Sequence, residues 1–230
     1  MNSDLIRQRA HRIVSVSEFR ESGMPEAVGN ISLNCPYDEQ YILRMAIRAD
    51  GGPFQIPDEL RWLQEIIDLS VISQQTIAID HPFCYVTVRH GRVKTVTDDQ
   101  WHVDGFSTKI PHVPEQNYVW ASHTGTQCAE LAVRFPKDFD PLRHNVNTYL
   151  TQFIDRKKIT SLEPGVVYVM DPYMLHRRPP QTSNTYRTFV RVTHVPIQIN
   201  DIKNTPNPLL PIACDTDGVA YRNMLENYPQ

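Results

Sequence analysis

Between Asp58 and Ser73 the apolar residues Leu60, Leu63, Ile66, Ile67 and Val71 recur at intervals of mostly three and four. That is the spacing of one helical face, and Pro57 with the capping-type Asp58 marks its start. The face predicts packing against a sheet. Beyond it the period falls to two. Phe83 to Val88 predicts a strand, His90-Gly91 a turn, and Arg92 to Val96 a second arm. Asn117 to Ser122, Glu130 to Arg134 and Val166 to Met170 predict further strands, the last opened by the turn Glu163-Pro164-Gly165. Leu175-His176-Arg177 begins a short strand that Pro179-Pro180 ends, and a polar loop over 181–185 leads into the β-branched run Arg187 to Val195. Thr148 to Ile154 fits neither period. Short strands separated by turns in this way predict an antiparallel sandwich or barrel. Residues 1–55 alternate apolar pieces such as Tyr41-Ile42-Leu43 with the turn signal Gly51-Gly52-Pro53.

Composition narrows the picture. A chain of 230 residues predicts one domain. Its parts would be a helical or irregular section over about 1–79, a β core over about 80–200 and an extended covering segment over 201–230. The 18 prolines against 9 glycines fit many turns and irregular connections rather than a helical bundle. With a net charge of −3, and Arg156-Lys157-Lys158 as the densest basic run, nothing supports nucleic acid as a partner. No segment approaches the roughly 20 apolar residues that span a bilayer, and the N-terminus lacks the apolar stretch of a secretion signal. Cys35, Cys84, Cys128 and Cys214 form no Cys-x-x-Cys pair, so free thiols in a cytoplasmic protein are expected.

The candidate chemistry lies in Trp101-His102-Val103-Asp104-Gly105. Of nine histidines only His102 has an acid two residues on, and on a strand both side chains leave from one face. His176, in a hairpin arriving from far along the chain, can supply a third ligand. Two imidazoles and one carboxylate on one face of Fe(II) leave the opposite face open for small molecules. On the strand after it, Arg187, Phe189, Arg191 and Thr193 share a face, with the arginines roughly 13 Å apart. A guanidinium inside a β core calls for an anion, and its planar fork suits a carboxylate. Arg187 is the better placed; Arg191 could meet a cosubstrate, a substrate or a structural acid.

The order His102-x-Asp104, His176, Arg187 resembles the Fe(II)/2-oxoglutarate-dependent dioxygenase superfamily over roughly residues 80–200. The resemblance implies a mainly β fold, a double-stranded β-helix (jelly-roll) core with flanking N-terminal helices. It implies His102, Asp104 and His176 as iron ligands, Arg187 as anchor of the distal carboxylate of 2-oxoglutarate, and Arg191 as a second cofactor-binding candidate. The arginine spacing is similar to that of the taurine dioxygenase and clavaminate synthase-like group. The Arg-x-Ser ending of the isopenicillin synthase-like group is absent at Arg187, where position 189 is phenylalanine, and Arg191-x-Thr193 is a looser echo of it. Halogenating relatives lack the carboxylate ligand, so Asp104 favours hydroxylation. Dioxygen would be consumed and succinate and carbon dioxide released, on a small-molecule substrate such as an amino acid or a biosynthetic intermediate. The competing readings are a cupin-like metalloenzyme that does not use 2-oxoglutarate, and a jelly-roll binding protein with a vestigial metal site.

Several neighbours are weaker candidates. Trp101 and Phe106 could wall the pocket, Tyr118 or Trp120 could face the cosubstrate, and Thr124 or Thr126 could hydrogen-bond it. Arg178, two residues past His176, could share its face and reach an anionic substrate. His112, His123, His144 and His194 read as structural or surface residues, and Cys128 as a buried thiol.

Overall fold

The computed structural model describes residues 24–76, 81–92, 100–104, 115–131, 136, 139, 144–170, 174–179, 186–196, 198–199, 201–210 and 212. Its strands are β1 (Glu26–Asn30), β2 (Gln40–Arg48), β3 (Phe83–Arg92), β4 (Gln116–Ala121), β5 (Gln127–Ala129), β6 (Ile159–Ser161), β7 (Val166–Met170), β8 (Leu175–Arg177) and β9 (Tyr186–Val195). A six-stranded sheet runs β1-β7-β4-β9-β3-β2 and a three-stranded sheet runs β6-β5-β8, with every pairing antiparallel. The fold is mainly β, and two antiparallel sheets with few helices fit the expected jelly-roll core.

Alternation along the large sheet decides what each face does. Val190 and Val192 of β9 pair with Val88 and Val86 of β3 and with Trp120 and Tyr118 of β4. All six are buried with Leu60, Leu63, Ile66 and Ile67 in one apolar cluster. Each such aliphatic side chain contributes about 1.5–3 kcal/mol of transfer free energy. The opposite face carries Arg187, Phe189 and Arg191 of β9, set against Gly91, Arg89 and Thr87 of β3. One face therefore binds the helix and the other lines a cavity.

The helix on the apolar face begins later than the sequence predicts. Asp58–Leu63 is a 3-10 turn, and α1 proper covers Gln64–Thr76. Pro57 occupies the N-cap position without a side-chain cap, while the Asp58 carboxylate holds Arg61 Nε at 2.6 Å. With no cap to open an α-turn, the first turn tightens. His194, on β9, ties the sheet to this helix through Ser70 Oγ at 2.8 Å, a structural role as expected.

Three expectations are corrected. The helical or irregular section contains β1 and β2, which form both edges of the large sheet, so the sheet reaches well before residue 80. The bulges that shift β2 out of register hide its alternation. His90-Gly91 is not a turn: β3 stays paired with β9 as far as Arg92↔Tyr186. The ambiguous segment opens as α2 (Val146–Thr151), whose N-cap Asn145 accepts from Thr148 N at 3.0 Å. A β5 strand over Gln127–Ala129 lies just before the predicted Glu130 to Arg134, and 132–134 fall outside the described residues, as do Phe106, His112, Cys214, the arm beyond Arg92 and the loop 181–185.

Cys35, Cys84 and Cys128 are free and buried. Burial raises all three thiols, Cys128 to about 12 and Cys84 beyond that, which leaves almost no thiolate near neutrality. Native protein treated with an alkylating reagent at about pH 8 should leave Cys84 and Cys128 unlabelled until it is unfolded. Labelling of either at the rate of a free thiol would contradict this packing. No helix among the described residues is long and apolar enough to cross a membrane.

Candidate metal centre

His102 and His176 face each other across an isolated antiparallel bridge. Their backbones exchange both hydrogen bonds, His102 N to His176 O and His176 N to His102 O, each 2.9 Å. A directly opposed pair places both side chains on one side of the ladder, and the ring centroids lie 4.4 Å apart. Each ring is oriented in the same way. His102 Nδ1 lies 2.9 Å from Gln100 O and His176 Nδ1 lies 2.9 Å from Met174 O. A carbonyl only accepts, so Nδ1 carries the proton and Nε2 presents its lone pair. Burial first, and His102 after it, lower the His176 pKa against the opposing pull of Asp104, so the neutral form that ligates a metal prevails.

Asp104 follows the bridge, and its Oδ2 stands 3.6 Å from His176 Nε2. The donor atoms of His102, Asp104 and His176 all lie within 4.8 Å of one another. Donors in adjacent positions around an ion with bonds near 2.1 Å stand about 3 Å apart. The set is therefore close to ligating spacing, and two neutral imidazoles with one carboxylate suit a divalent ion with open positions.

Arg191 donates from Nη1 to Asp104 Oδ2. Of the three partners the sequence leaves open for Arg191, the structure shows the acid, and that acid is the candidate ligand itself. Burial alone would raise the Asp104 carboxyl, but Arg191, then His176, His102 and Arg44, hold it well below the usual carboxylate range. Arg191 in turn is favoured in its charged form by Asp104 and Glu115 against the opposing effect of burial.

Arg44 and Glu115 complete a half-buried group of two cations and two carboxylates around a small cavity of about 60 Å³. Sequence reasoning missed both. Arg44 has a signal in hindsight, a lone charge inside the apolar run Tyr-Ile-Leu-Arg-Met-Ala-Ile. It sits at φ 43° where β2 bulges between Ile42 and Met45, and the bulge aims it at the acids. Glu115 precedes β4 and carries no comparable mark.

The open side of the triad gives onto a cavity of about 1410 Å³ that also exposes Thr126, Arg89, Arg178, Arg187 and Phe189. Arg187 is 7% exposed. Its Nε donates to Thr124 O at 3.3 Å and its guanidinium lies 5.2 Å from the Phe189 ring centroid. No carboxylate among the described residues pairs with it. Burial, then Arg178 and Arg89, push its pKa down to about 10, so it stays charged near neutrality. Thr124 contributes its carbonyl to Arg187. Tyr118 and Trp120 belong to the helix-side cluster, because they share register with Val192 and Val190, and so do not wall the cavity. Trp101 is core, capped by Arg177 at 4.7 Å, though its edge reaches the cavity.

No protein-family model matches the sequence, and no curated protein is similar to it. Among solved structures the chain is similar to AviO1 from Streptomyces viridochromogenes Tue57, with 14% identity over 90% of this chain and 89% of that one and a TM-score of 0.39. It is similar to ThoJ, described as a non-heme monooxygenase, with 13% identity over 94% and 95% and a TM-score of 0.42. It is also similar to EvdO2 from Micromonospora carbonacea var. aurantiaca, solved with 2-oxoglutarate, with 12% identity over 70% and 75% and a TM-score of 0.39. Likenesses of this degree leave the function to be argued from the site.

Proposed function

We propose that the chain is a non-haem Fe(II)- and 2-oxoglutarate-dependent oxygenase that hydroxylates or otherwise oxidises a C–H bond of a small-molecule substrate. The observation that carries this reading is the shared cavity: a two-histidine, one-carboxylate set and a buried arginine that no carboxylate among the described residues pairs with open into the same space. His102, Asp104 and His176 would hold the iron, which supplies the oxidation of 2-oxoglutarate to succinate and carbon dioxide with dioxygen. The chain's own groups do the positioning. The two backbone carbonyls fix the imidazoles, Arg191 holds Asp104 ionised, and Arg187 offers a fork for the far carboxylate of an oxo diacid. Phe189 and the Thr124 carbonyl keep that fork in place. In a metalloenzyme without 2-oxoglutarate, Arg187 would instead have to meet an anionic group of the substrate.

Anaerobic protein given Fe(II) and 2-oxoglutarate should develop a visible metal-to-ligand charge-transfer band, and in air it should form succinate. No band at millimolar 2-oxoglutarate would overturn the reading. Arg187→Met keeps the stem against Phe189 but removes the fork. It should raise the 2-oxoglutarate requirement by about 10- to 100-fold, or about 1.4–3 kcal/mol. An unchanged requirement would remove Arg187 from that role.

A further inference from the structure

The peptide joining His102 to Val103 is gripped at both ends. Its carbonyl oxygen accepts from His176 N at 2.9 Å, and its N–H, on Val103, donates to Asn147 Oδ1 at 3.3 Å. In a trans peptide these two groups point in opposite directions, so β8 holds one side of the plane and α2 the other. Val103 is buried, and without this acceptor a main-chain donor would be left unpaired. Asn147 is itself firmly placed. Val146 and Leu150 of α2 pack with Trp101 and Val103 in one apolar cluster. Asn145 accepts from Thr148 N at 3.0 Å, and Thr151 Oγ1 donates to Asn147 O at 2.7 Å. Only the carboxamide oxygen can accept from Val103, so Nδ2 takes the other side of the amide. There it has no hydrogen-bond partner among the described residues, and Asn147 borders the large cavity.

From this contact we propose that Asn147 is a positioning residue of the metal centre, setting where Asp104 stands relative to His102. This rests on reading His102, Asp104 and His176 as the ligands. The two imidazoles have their own supports in the bridge and in the carbonyls of Gln100 and Met174. Asp104 does not share them, because the bridge is a single residue pair that ends before it. Arg191 holds the Asp104 carboxylate, but a side-chain contact does not fix the backbone that carries it. A peptide plane held only at its oxygen could swing about that bond and carry Asp104 with it, while both rings stayed in place. The second grip, from α2, opposes that swing. Outer contacts of this kind orient ligands they do not touch, and losing one typically costs about 10–100-fold in metal affinity.

The probe is Co(II), titrated anaerobically without 2-oxoglutarate and followed by its visible d–d bands and by competition with a chelator. Asn147→Leu roughly keeps the volume and removes the acceptor. It should weaken Co(II) by about tenfold or more and shift the bands. Asn147→Asp keeps an oxygen for Val103 and gives up only the unpartnered Nδ2. It should bind Co(II) within about threefold of the parent, or more tightly, with the parent's bands. Amide hydrogen exchange at Val103 reads the contact itself. It should be slow in the parent and in Asn147→Asp, and faster by about tenfold or more in Asn147→Leu. If Asn147→Leu does not fold, Asn147→Ala is read in the same way. The proposal is overturned if the parent binds no Co(II), if removing the acceptor leaves Co(II) affinity and bands unchanged, or if Asn147→Asp loses as much affinity as Asn147→Leu. If the parent shows no charge-transfer band with Fe(II) and 2-oxoglutarate while Co(II) binding still depends on Asn147, the oxygenase reading fails and the positioning role stands.

Discussion

Asp104→Ala is expected to abolish metal binding and also to destabilise the metal-free protein by about 3–5 kcal/mol, the cost of leaving a buried partner charge uncompensated. The second effect follows from the arrangement behind the triad. Arg191 donates to Asp104 and has a buried Nε that no other group satisfies, and Arg44 faces the same acid. Removing the carboxylate leaves two guanidiniums with Glu115 alone. Burial and Asp104 raise the pKa of Glu115, and losing Asp104 removes only the second of these effects. Asp104→Asn, which keeps an acceptor for Arg191, should lose the metal with a smaller penalty. The double change Asp104→Ala with Arg191→Met should recover much of the stability and none of the metal, since the two residues are directly coupled. Denaturant melts in chelator, beside metal-competition titrations, separate the two effects. A metal-free Asp104→Ala protein within about 1 kcal/mol of the parent would show that this charge group does not support the fold.

The second large effect arises on the strand that supports one of the candidate metal ligands. Gly125 lies where the chain enters β5, and a Cβ there would stand 1.7 Å from Leu162 O and 2.5 Å from its carbonyl carbon. Both obstacles are backbone, held by the hydrogen bond from Leu162 N to Thr126 O at 2.9 Å. No rotamer relieves the contact, so β5 and the exit of β6 must separate. Gly125→Ala should therefore destabilise by about 3 kcal/mol or more, near the upper end for overpacking. For a chain of this size that lowers the melting temperature by roughly 6–12 °C. β5 also carries Cys128, which pairs with His176, so the variant should lose metal affinity along with stability. A melting temperature within about 2 °C of the parent would refute the close approach.

The parts of the site that could be read from the sequence are those built on unbroken alternation. β9 keeps period two from Tyr186 to Val195, which is why the shared face of Arg187, Phe189 and Arg191 could be placed in advance. His102 and Asp104 were legible as an adjacent pair, and His176 through the turns around its strand. What was hidden has a common cause. β2 contains two register shifts and a left-handed Arg44, so its side chains do not follow the alternation that identifies a strand. The role of Arg191 depends on a contact with a residue far away in sequence, and local pattern cannot choose among its three candidate partners. Tyr118 and Trp120 could not be assigned a face until the pairing of β4 with β9 fixed it.

The two imidazoles and the carboxylate are supported in different ways. Both histidines hang from one pair of mutually hydrogen-bonded residues and are turned by main-chain carbonyls two positions upstream. Their spacing is a property of the backbone and owes nothing to the side chains of the cavity wall. Wall residues such as Arg89, Thr126 and Arg178 can therefore be exchanged over evolutionary time without retuning the imidazoles. A centre built this way can change the molecule it accepts while its chemistry is inherited intact. Asp104 has no such insulation, and Arg191 is the residue that such drift could least readily replace.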